Sequence, residues 1–227
     1  MSKYSTEELV QGFKKVFPPV VSEIMSEDYD LMDQWLGPEI KPFDRHMVVC
    51  GPAFTMRWVN DPELVLHTEA GKRQVADIMD ALQPLWVPIV DSSKAPDSGY
   101  WGELVCNLCL EKGVNSAVID GGVRDIDYIL NLKNFNMFAS FICPNTANKR
   151  SHPESFQKPI IINGVNIAPG DFIFGSIDGV IIIPQNLLDE VFEKTMKLYD
   201  EENKKRELIR QGYTYHQVLD MAKSKKL

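Results

Sequence analysis

Three apolar runs of strand length follow one another along the chain, and a helical segment separates each run from the next. The runs occupy residues 85–91, 117–119 and 137–142, and the segments between them, residues 101–112 and 124–132, carry apolar residues at helical spacing. Runs without polar alternation are typical of strands that are buried on both faces of a parallel sheet. Strands joined in this order by helices require parallel crossovers. The sequence therefore predicts an α/β fold.

The first 45 residues predict a helical arm that precedes the sheet. Ser5 and Glu8 have the spacing of a capping box, in which each side chain accepts a hydrogen bond from the other residue's backbone amide. A second short helix is predicted over residues 20–25, whereas residues 29–43 show no clean period. We therefore expect residues 1–45 to lie outside the parallel crossover unit.

Three further segments surround the first apolar run. Residues 47–56 are β-prone and contain Gly51 and Pro52, which predicts a strand that bends and continues. The apolar positions of residues 63–82 fit a helix. Residues 91–99 are rich in turn formers, which predicts a polar loop.

The C-terminal third of the chain predicts a different architecture. Asn163 and Gly164 lie between β-prone flanks, and this dipeptide is the strongest short signal for a hairpin. Two more short strands follow, and then a long helix over residues 187–210. We expect a small antiparallel β unit and, over residues 185–227, a C-terminal helix and tail. Because 227 residues with 44% hydrophobic residues can bury one full core, a single domain over residues 1–227 is expected.

The charge balance and the apolar runs exclude several classes of protein. With 24 Lys and Arg against 32 Asp and Glu, the net charge is −8, and no basic cluster suits a nucleic acid. No apolar run approaches the roughly 20 residues that cross a bilayer, and the N-terminus lacks the apolar core of a signal peptide. We therefore expect a cytoplasmic protein with neither nucleic-acid nor membrane partners. Its 4 cysteines do not form a disulfide framework and are expected to be reduced.

Two polar clusters occur where a predicted strand gives way to a helix. Glu103 starts one helix, and Arg124 with Asp125 starts the next after 20 intervening residues. Ligands of parallel α/β layers collect at the carboxyl ends of the strands, so the clusters predict one shared site. A simpler interpretation stays open. Acidic residues are common in first helical turns, and an Arg beside an Asp is often only a surface ion pair.

The residue types in these clusters suit a carboxylate ligand and a hard cation. First-turn amides, such as those of Leu104 and Val105, bind anions through hydrogen bonds and the helix dipole. The guanidinium of Arg124 can pair with a carboxylate at two points. Asp125 offers a ligand for Mg²⁺ or Mn²⁺, and Glu103 can orient the cation's waters. A cation chelated by a 2-oxo acid stabilises the enolate that forms as a carbon–carbon bond breaks.

The sequence resembles the RraA-like family in residues 101–105 (WGELV) and 117–125 (AVIDGGVRD), and in the acid-X20-Arg-Asp spacing that they contain. This family includes the class II 4-hydroxy-4-methyl-2-oxoglutarate / 4-carboxy-4-hydroxy-2-oxoadipate aldolases and the regulator of ribonuclease E activity A. Further matches lie within residues 164–171 and 178–184. The resemblance covers roughly residues 45–215.

The resemblance implies an α/β/β/α sandwich of the swivelling β/β/α type, assembled as a homotrimer or as a hexamer of trimers with active sites between subunits. By motif position, Asp125 would bind the divalent metal and Arg124 would pair with the substrate carboxylate and the enolate. Glu103 would be an acid that acts through the metal's waters. The nearest matches to a further acid in this water shell, contributed by a neighbouring subunit, are Glu201 and Glu202.

The resemblance also assigns substrate binding. Gly102, Leu104 and Val105 would bind the substrate together with Arg124, and the amides of Leu104 and Val105 would face its carboxylate. Residues 91–97 depart from the Gly-rich turn that such aldolases usually have at this place. The substrate can therefore differ from the best-known substrates of the family.

These observations lead to the hypothesis of a divalent-metal-dependent lyase that acts on a 2-oxo acid. The reaction would be retro-aldol cleavage of a 4-hydroxy-2-oxo acid with release of pyruvate, decarboxylation of oxaloacetate, or both. A water held by Arg124 and either Asp120 or Glu103 is the expected proton carrier. The alternative is a non-catalytic RraA-type protein that binds and regulates an RNA-processing enzyme.

Other candidate residues favour structural roles. Cys106 and Cys109 have redox or zinc spacing, but they lie in a predicted helix without a second pair, so core packing is expected. His67 and His152 lack partners at ligand spacing. The Gly-Gly turn before Arg124 lacks the full dinucleotide pattern, so no nucleotide cofactor is expected.

Overall fold

A large mixed sheet forms the centre of the fold. The computed structural model of this chain describes residues 2–59, 69–94, 98–148 and 150–223. In this part of the chain the strands are β1 (Lys41–Pro42), β2 (Val49–Val59), β3 (Val87–Lys94), β4 (Gly99–Trp101), β5 (Ser116–Val123), β6 (Asn136–Ile142), β7 (His152–Phe156), β8 (Ile160–Ile162), β9 (Val165–Ile167), β10 (Phe172–Ser176) and β11 (Gly179–Ile183). The helices are α1 (Thr6–Phe13), α2 (Pro18–Tyr29), α3 (Glu69–Asp80), α4 (Glu103–Glu111), α5 (Ile126–Asn131), α6 (Leu188–Arg210) and α7 (Tyr215–Lys223).

The centre of the sheet is parallel, as the apolar runs predict. β2 pairs with β3, β3 with β5, and β5 with β6, each in the parallel sense. The short strand β4 also runs parallel to β5. Helix α4 connects β4 with β5, and α5 connects β5 with β6. The predicted crossovers and the α/β class are therefore confirmed.

Antiparallel strands extend this sheet at both ends and add a hairpin. The strand order is β1-β6-β5-β3-β2-β10-β11, in which β1 is antiparallel to β6, β10 to β2 and β11 to β10. β7 is also antiparallel to β2. The separate hairpin of β8 and β9 turns at Asn163 and Gly164, whose φ angles of 49° and 85° are left-handed. The Asn-Gly signal thus predicted the hairpin correctly.

The polar loop predicted over residues 91–99 is wrong. β3 continues through Lys94 and β4 begins at Gly99, and residues 95–97 lie outside the described residues. The polar side chains remain in the sheet because they have partners there. Asp91 is buried 3.9 Å from Arg57 Nε, and the Ser92 hydroxyl donates to a β5 carbonyl. These partners lie on the neighbouring strands β2 and β5, which are distant in sequence, so they leave no local signal.

The other predicted helices differ mainly in length. The capping box that starts α1 is present, but α2 begins at Pro18 and is longer than the predicted 20–25. Proline is favoured in the first turn because its missing amide hydrogen is not needed there. The helix predicted over 63–82 is represented by α3. Residues 60–68, with His67, lie outside the described residues.

The helices α1, α2 and α6 pack against the antiparallel end of the sheet. Phe13 of α1 meets Phe172 and Phe174 of β10, with ring centroids 5.1 and 5.4 Å apart, and Phe192 of α6 at 5.1 Å. Burial of each such ring contributes about 1.5–3 kcal/mol. This cluster attaches the N-terminal arm and the predicted C-terminal helix to the sheet. In the described part of the chain, no helix combines the length and apolarity needed to cross a membrane.

The cysteines are structural, as expected for Cys106 and Cys109. All four are free and buried. Burial raises the pKa of the Cys109 thiol to about 12 and the pKa of Cys106 still further. Thiols with such values stay protonated and unreactive near neutral pH.

Candidate active site

Asp125 starts one helix and reaches the first turn of another. It precedes α5 with φ 58° and ψ 32°, so this helix begins at Ile126 rather than at the predicted Arg124. Asp is one of the few residues besides Gly that tolerate this left-handed conformation. Its Oδ2 accepts a hydrogen bond of 3.3 Å from the backbone amide of Glu103, the first residue of α4. The N-termini of α4 and α5 therefore meet at this carboxylate.

Arg124 is held through its backbone amide, and its side chain is partly exposed. Its amide donates to the Trp101 carbonyl at 2.9 Å, which attaches the turn to β4. Its Nε lies 3.6 Å from Asp125 Oδ2, and the two side chains are 42% and 40% exposed. An ion pair this exposed typically contributes about 0–1 kcal/mol to stability. The pair therefore suits ligand binding better than it suits stabilisation of the fold.

Gly102 allows these two side chains to approach α4. A Cβ atom at this position would lie 2.6 Å from Asp125 Oδ2 and 3.1 Å from Arg124 Nε. Its φ of −152° is accessible to any residue, so the requirement for glycine is one of space. A side chain at Gly102, just before α4, would therefore collide with the Arg-Asp pair.

Gly102→Ala is expected to lower catalytic efficiency by about tenfold, because small displacements of reacting groups are costly. The added methyl group would push Arg124 and Asp125 out of position without disturbing buried packing. The measurement is kcat/KM for the pyruvate release hypothesised from the sequence, with thermal unfolding as the control. A variant with unchanged kcat/KM would show that this contact is not important.

Glu103 is oriented by a residue that the sequence did not single out. Asn107 Nδ2 donates to Glu103 Oε2 at 3.1 Å and to the Glu103 carbonyl at 2.8 Å. It also lies 3.5 Å from the Tyr128 hydroxyl of α5. Residues four apart face each other on a helix, so the spacing from Glu103 was the available signal.

A cavity of about 290 Å³ lies beside Arg124. Its walls include four of the predicted residues, namely Gly102, Leu104, Val105 and Arg124. The other lining residues were not predicted, and they are Trp58, Lys72, Val75, Gly99, Tyr100, Trp101, Thr146, Ala147 and Asn148. Trp58 lies near the C-terminal end of β2, Trp101 ends β4, and residues 146–148 follow β6. Ligands of parallel sheets bind at such strand ends.

Asp120 lies apart from this cavity, within the sheet. It is paired in register with Asp91 of β3, and Ser140 Oγ of β6 donates to its Oδ1 at 3.3 Å. Burial raises the pKa of Asp120 above its ordinary value of 3.8, and the nearby Asp91 raises it further. The Ser140 hydrogen bond opposes these effects. The predicted role of Asp120 in holding the proton-carrying water stays a prediction.

The raised pKa of Asp120 predicts how the free energy of unfolding depends on pH. Between 3.8 and the higher folded-state value, the native protein binds more protons than the unfolded chain, so stability falls as pH rises. Asp120→Asn removes this loss and is expected to raise Tm by about 1–2 °C near pH 7. Thermal unfolding from pH 4 to pH 8 measures it. The exposed Asp127→Asn is the control, and an equal gain in both variants would contradict the explanation.

Glu201 and Glu202 pair within their own helix. Glu201 lies 3.9 Å from Lys197, and Glu202 forms an ion pair with Arg206. Neither glutamate is among the residues that line the cavity described above. Their contribution to a neighbouring subunit's site stays a prediction.

The sequence matches the profile of the RraA-like family, described as Aldolase/RraA, over residues 20–182. This match covers well over half of the chain. The chain belongs to the RraA-like family. The α/β architecture and the C-terminal helix agree with that membership.

Individual relatives support the same assignment. "Putative 4-hydroxy-4-methyl-2-oxoglutarate aldolase" of Halalkalibacterium halodurans is 30% identical over 165 residues, which cover 71% of this chain and 72% of that protein. Protein DlpA of Legionella pneumophila is 31% identical over 179 residues, or 79% of this chain, yet the chain spans only 28% of DlpA. The structure of Streptomyces coelicolor RraAS2, titled an unusual member of the RNase ES inhibitor RraA protein family, has a TM-score of 0.77 at 19% identity. The superposition covers 91% of this chain and 99% of RraAS2, and the similarity confirms the predicted fold.

A divalent cation is implied by the RraA-like aldolases, and the donor set at Asp125 fits one. The described residues contain no group of three or more His, Cys, Asp or Glu side chains placed to hold a metal ion. Mg²⁺, however, is usually bound through one or two carboxylates, with waters and substrate oxygens as the remaining ligands. Asp125 is 40% exposed, and its contacts with Arg124 and Glu103 use Oδ2. It can therefore present a carboxylate oxygen to a hydrated cation.

Proposed function

We propose that this chain is a divalent-metal-dependent lyase that cleaves a 4-hydroxy-2-oxo acid by a retro-aldol reaction and releases pyruvate. Decarboxylation of oxaloacetate is a second reaction of the same type, because it also passes through the pyruvate enolate. The observation that carries the proposal is the meeting of Arg124 and Asp125 with the N-terminus of α4 beside a cavity. The aldolase name of a relative at 30% identity supports it.

The chain's own residues bind and orient the carboxylate end of the substrate. The Arg124 guanidinium can bind two carboxylate oxygens, and the first-turn amides of Leu104 and Val105 add hydrogen bonds and the helix dipole. Gly102 leaves room for this approach. Together these groups place the carbonyl of the substrate next to Asp125.

A divalent cation would supply the electrophilic chemistry that these side chains lack. Asp125 would hold Mg²⁺ or Mn²⁺, with Glu103 and a neighbouring subunit's Glu201 or Glu202 acting through water, and the bound ion would supply Lewis-acid stabilisation of negative charge. The 4-hydroxyl loses its proton as the C3–C4 bond breaks, and C3 then gains a proton to give pyruvate. Glu103, held by Asn107 at 3.1 Å, is better placed than Asp120 to orient the water that carries these protons.

The deciding experiment measures pyruvate release with and without metal. Purified chain is assayed with 4-hydroxy-4-methyl-2-oxoglutarate and with oxaloacetate in Mg²⁺, in Mn²⁺ and after EDTA, with pyruvate reduction coupled to NADH oxidation. We expect turnover that EDTA abolishes and added Mg²⁺ restores. Turnover that survives EDTA would contradict the metal mechanism. Absence of turnover on a broad 2-oxo-acid panel, with co-purification of a ribonuclease, would favour the regulatory alternative.

We also propose that the protein is cytoplasmic and assembles as a homotrimer or a hexamer, with active sites between subunits. Its support is the apolar surface that α4 and α5 present next to the site. Leu104, Leu108 and Tyr128 are 68%, 49% and 49% exposed. Exposed apolar side chains that cluster in this way are typical of a surface that another chain covers. Light scattering coupled to gel filtration measures the assembly.

A further inference from the structure

Apart from Arg124, the walls of the cavity are mainly apolar. The apolar lining residues are Trp58, Val75, Tyr100, Trp101, Leu104, Val105 and Ala147. Among the described lining residues none is acidic, and the cation other than Arg124 is Lys72, which is exposed and already interacts with other groups. Among the described lining residues, the polar side chains are those of Arg124, Lys72, Thr146 and Asn148.

Two aromatic side chains make one wall rigid. Trp58 at the end of β2 meets Tyr100 of β4 edge to face, with ring centroids 5.5 Å apart and planes at 66°. Trp58 is only 6% exposed and Tyr100 only 5%. Aromatic pairs in this geometry gain about 0.5–1.5 kcal/mol beyond their burial, so the wall is present before a ligand binds.

The indole N–H of Trp58 is a buried donor without an acceptor among the described residues. Native structures rarely leave such a group unpaired, and each case calls for an explanation. Because this N–H is buried, the surface that Trp58 presents to the cavity does not include this donor.

We propose that the substrate is a 4-hydroxy-2-oxo acid that carries an aryl group, or an apolar group of similar size, at C4. This inference rests on the proposed function and specifies its substrate class. Cleavage removes the 4-hydroxyl proton, breaks C3–C4 and turns C4 into an aldehyde carbon, while C3 gains a proton. The products are pyruvate and an aromatic aldehyde, and no oxidant or reductant is consumed.

The cost of burying a charged group favours aryl substrates over dicarboxylate substrates in this cavity. A second carboxylate that lay against Trp58 and Tyr100 would lose its water there, and burial of a charge against an apolar wall is strongly disfavoured. An aromatic ring loses no hydrogen bonds there and gains contact with the indole and phenol faces. The volume of about 290 Å³ is at the small end for ligand sites, which suits a pyruvyl unit with one ring.

The test compares an aryl with a dicarboxylate substrate in the full chain with Mg²⁺. We expect kcat/KM for 4-hydroxy-2-oxo-4-phenylbutanoate to exceed that for 4-hydroxy-4-methyl-2-oxoglutarate by about tenfold or more. Trp58→Ala should remove most of this preference, whereas Trp35→Ala, which deletes a half-exposed indole outside the cavity, should preserve it. Ala147→Leu narrows the cavity without deleting a core side chain, and it should selectively slow the aryl substrate.

Binding provides a readout that does not depend on turnover. Calorimetric titration should show that phenylpyruvate binds about tenfold more tightly than 2-oxoglutarate, and Trp58→Ala should abolish the difference. Preferred cleavage of the dicarboxylate would overturn this inference and leave the proposed function standing. If neither substrate is cleaved, the proposed function fails. In that case equal binding of the two probes would also overturn the aryl preference, and tighter binding of phenylpyruvate would support it.

Discussion

Replacing Asp125 with Asn is expected to lower kcat/KM for pyruvate release by about 10³-fold, the upper range for loss of one preorganised electrostatic group. Asn has nearly the same shape, tolerates the left-handed φ of 58° at this position, and keeps an oxygen that can accept from the Glu103 amide. The substitution therefore removes little except the negative charge. That charge is what a hard cation requires of its ligand.

A Mg²⁺ titration of activity measures the effect of Asp125→Asn. The variant should need far more metal than the unaltered chain, and its Tm without metal should be nearly unchanged. Asp127→Asn is the matched control, because Asp127 is an exposed acid in the first turn of the same helix. Equal activity losses in the two variants would contradict a specific role for Asp125.

Replacing Arg124 with Lys is expected to lower kcat/KM by about 10²-fold, since two charge-assisted hydrogen bonds to a carboxylate become one. The positive charge is retained, so the loss reports the planar geometry of the guanidinium. Most of the change should appear as a raised KM, because the substrate carboxylate is bound before and during the reaction. Tm should stay within about 2 °C, since the Arg124–Asp125 pair is open to solvent.

Steady-state kinetics with several 2-oxo acids separate binding of the carboxylate from a general loss of structure. The matched control is Arg210→Lys, which changes an exposed arginine near the end of α6. If Arg124→Lys retained the original KM for every substrate, the assignment of Arg124 to the carboxylate would be wrong.

The parts of the fold that the sequence predicts are those with local patterns. Apolar runs separated by helical spacing predict the parallel order of β3, β5 and β6, and the Asn163-Gly164 dipeptide predicts the hairpin. The polar end of β3 is not predictable in this way. Asp91 and Ser92 remain in the strand because Arg57 and Asp120 are their neighbours across the sheet, and these partners are distant in sequence.

The same distinction applies to the candidate site. Glu103, Arg124 and Asp125 lie in two short motifs at equivalent turns, so their convergence can be predicted from spacing. Trp58 and Tyr100 come from separate strands, and nothing in the local sequence shows that they form one wall of the cavity. Recognition of the 2-oxo-acid end can therefore be predicted more readily than recognition of the remainder of a substrate.

The hydrogen bond between Asp125 and the Glu103 amide has a consequence for the order of events. In the structure, the carboxylate of Asp125 occupies a helix N-terminus that would otherwise attract an external anion, and it also lies near Arg124. A substrate carboxylate must compete with this internal one, which a bond of 3.3 Å holds only weakly. If Asp125 binds a cation, its hydrogen bond to the Glu103 amide would weaken and the competition would fall, so metal and substrate would each strengthen the binding of the other.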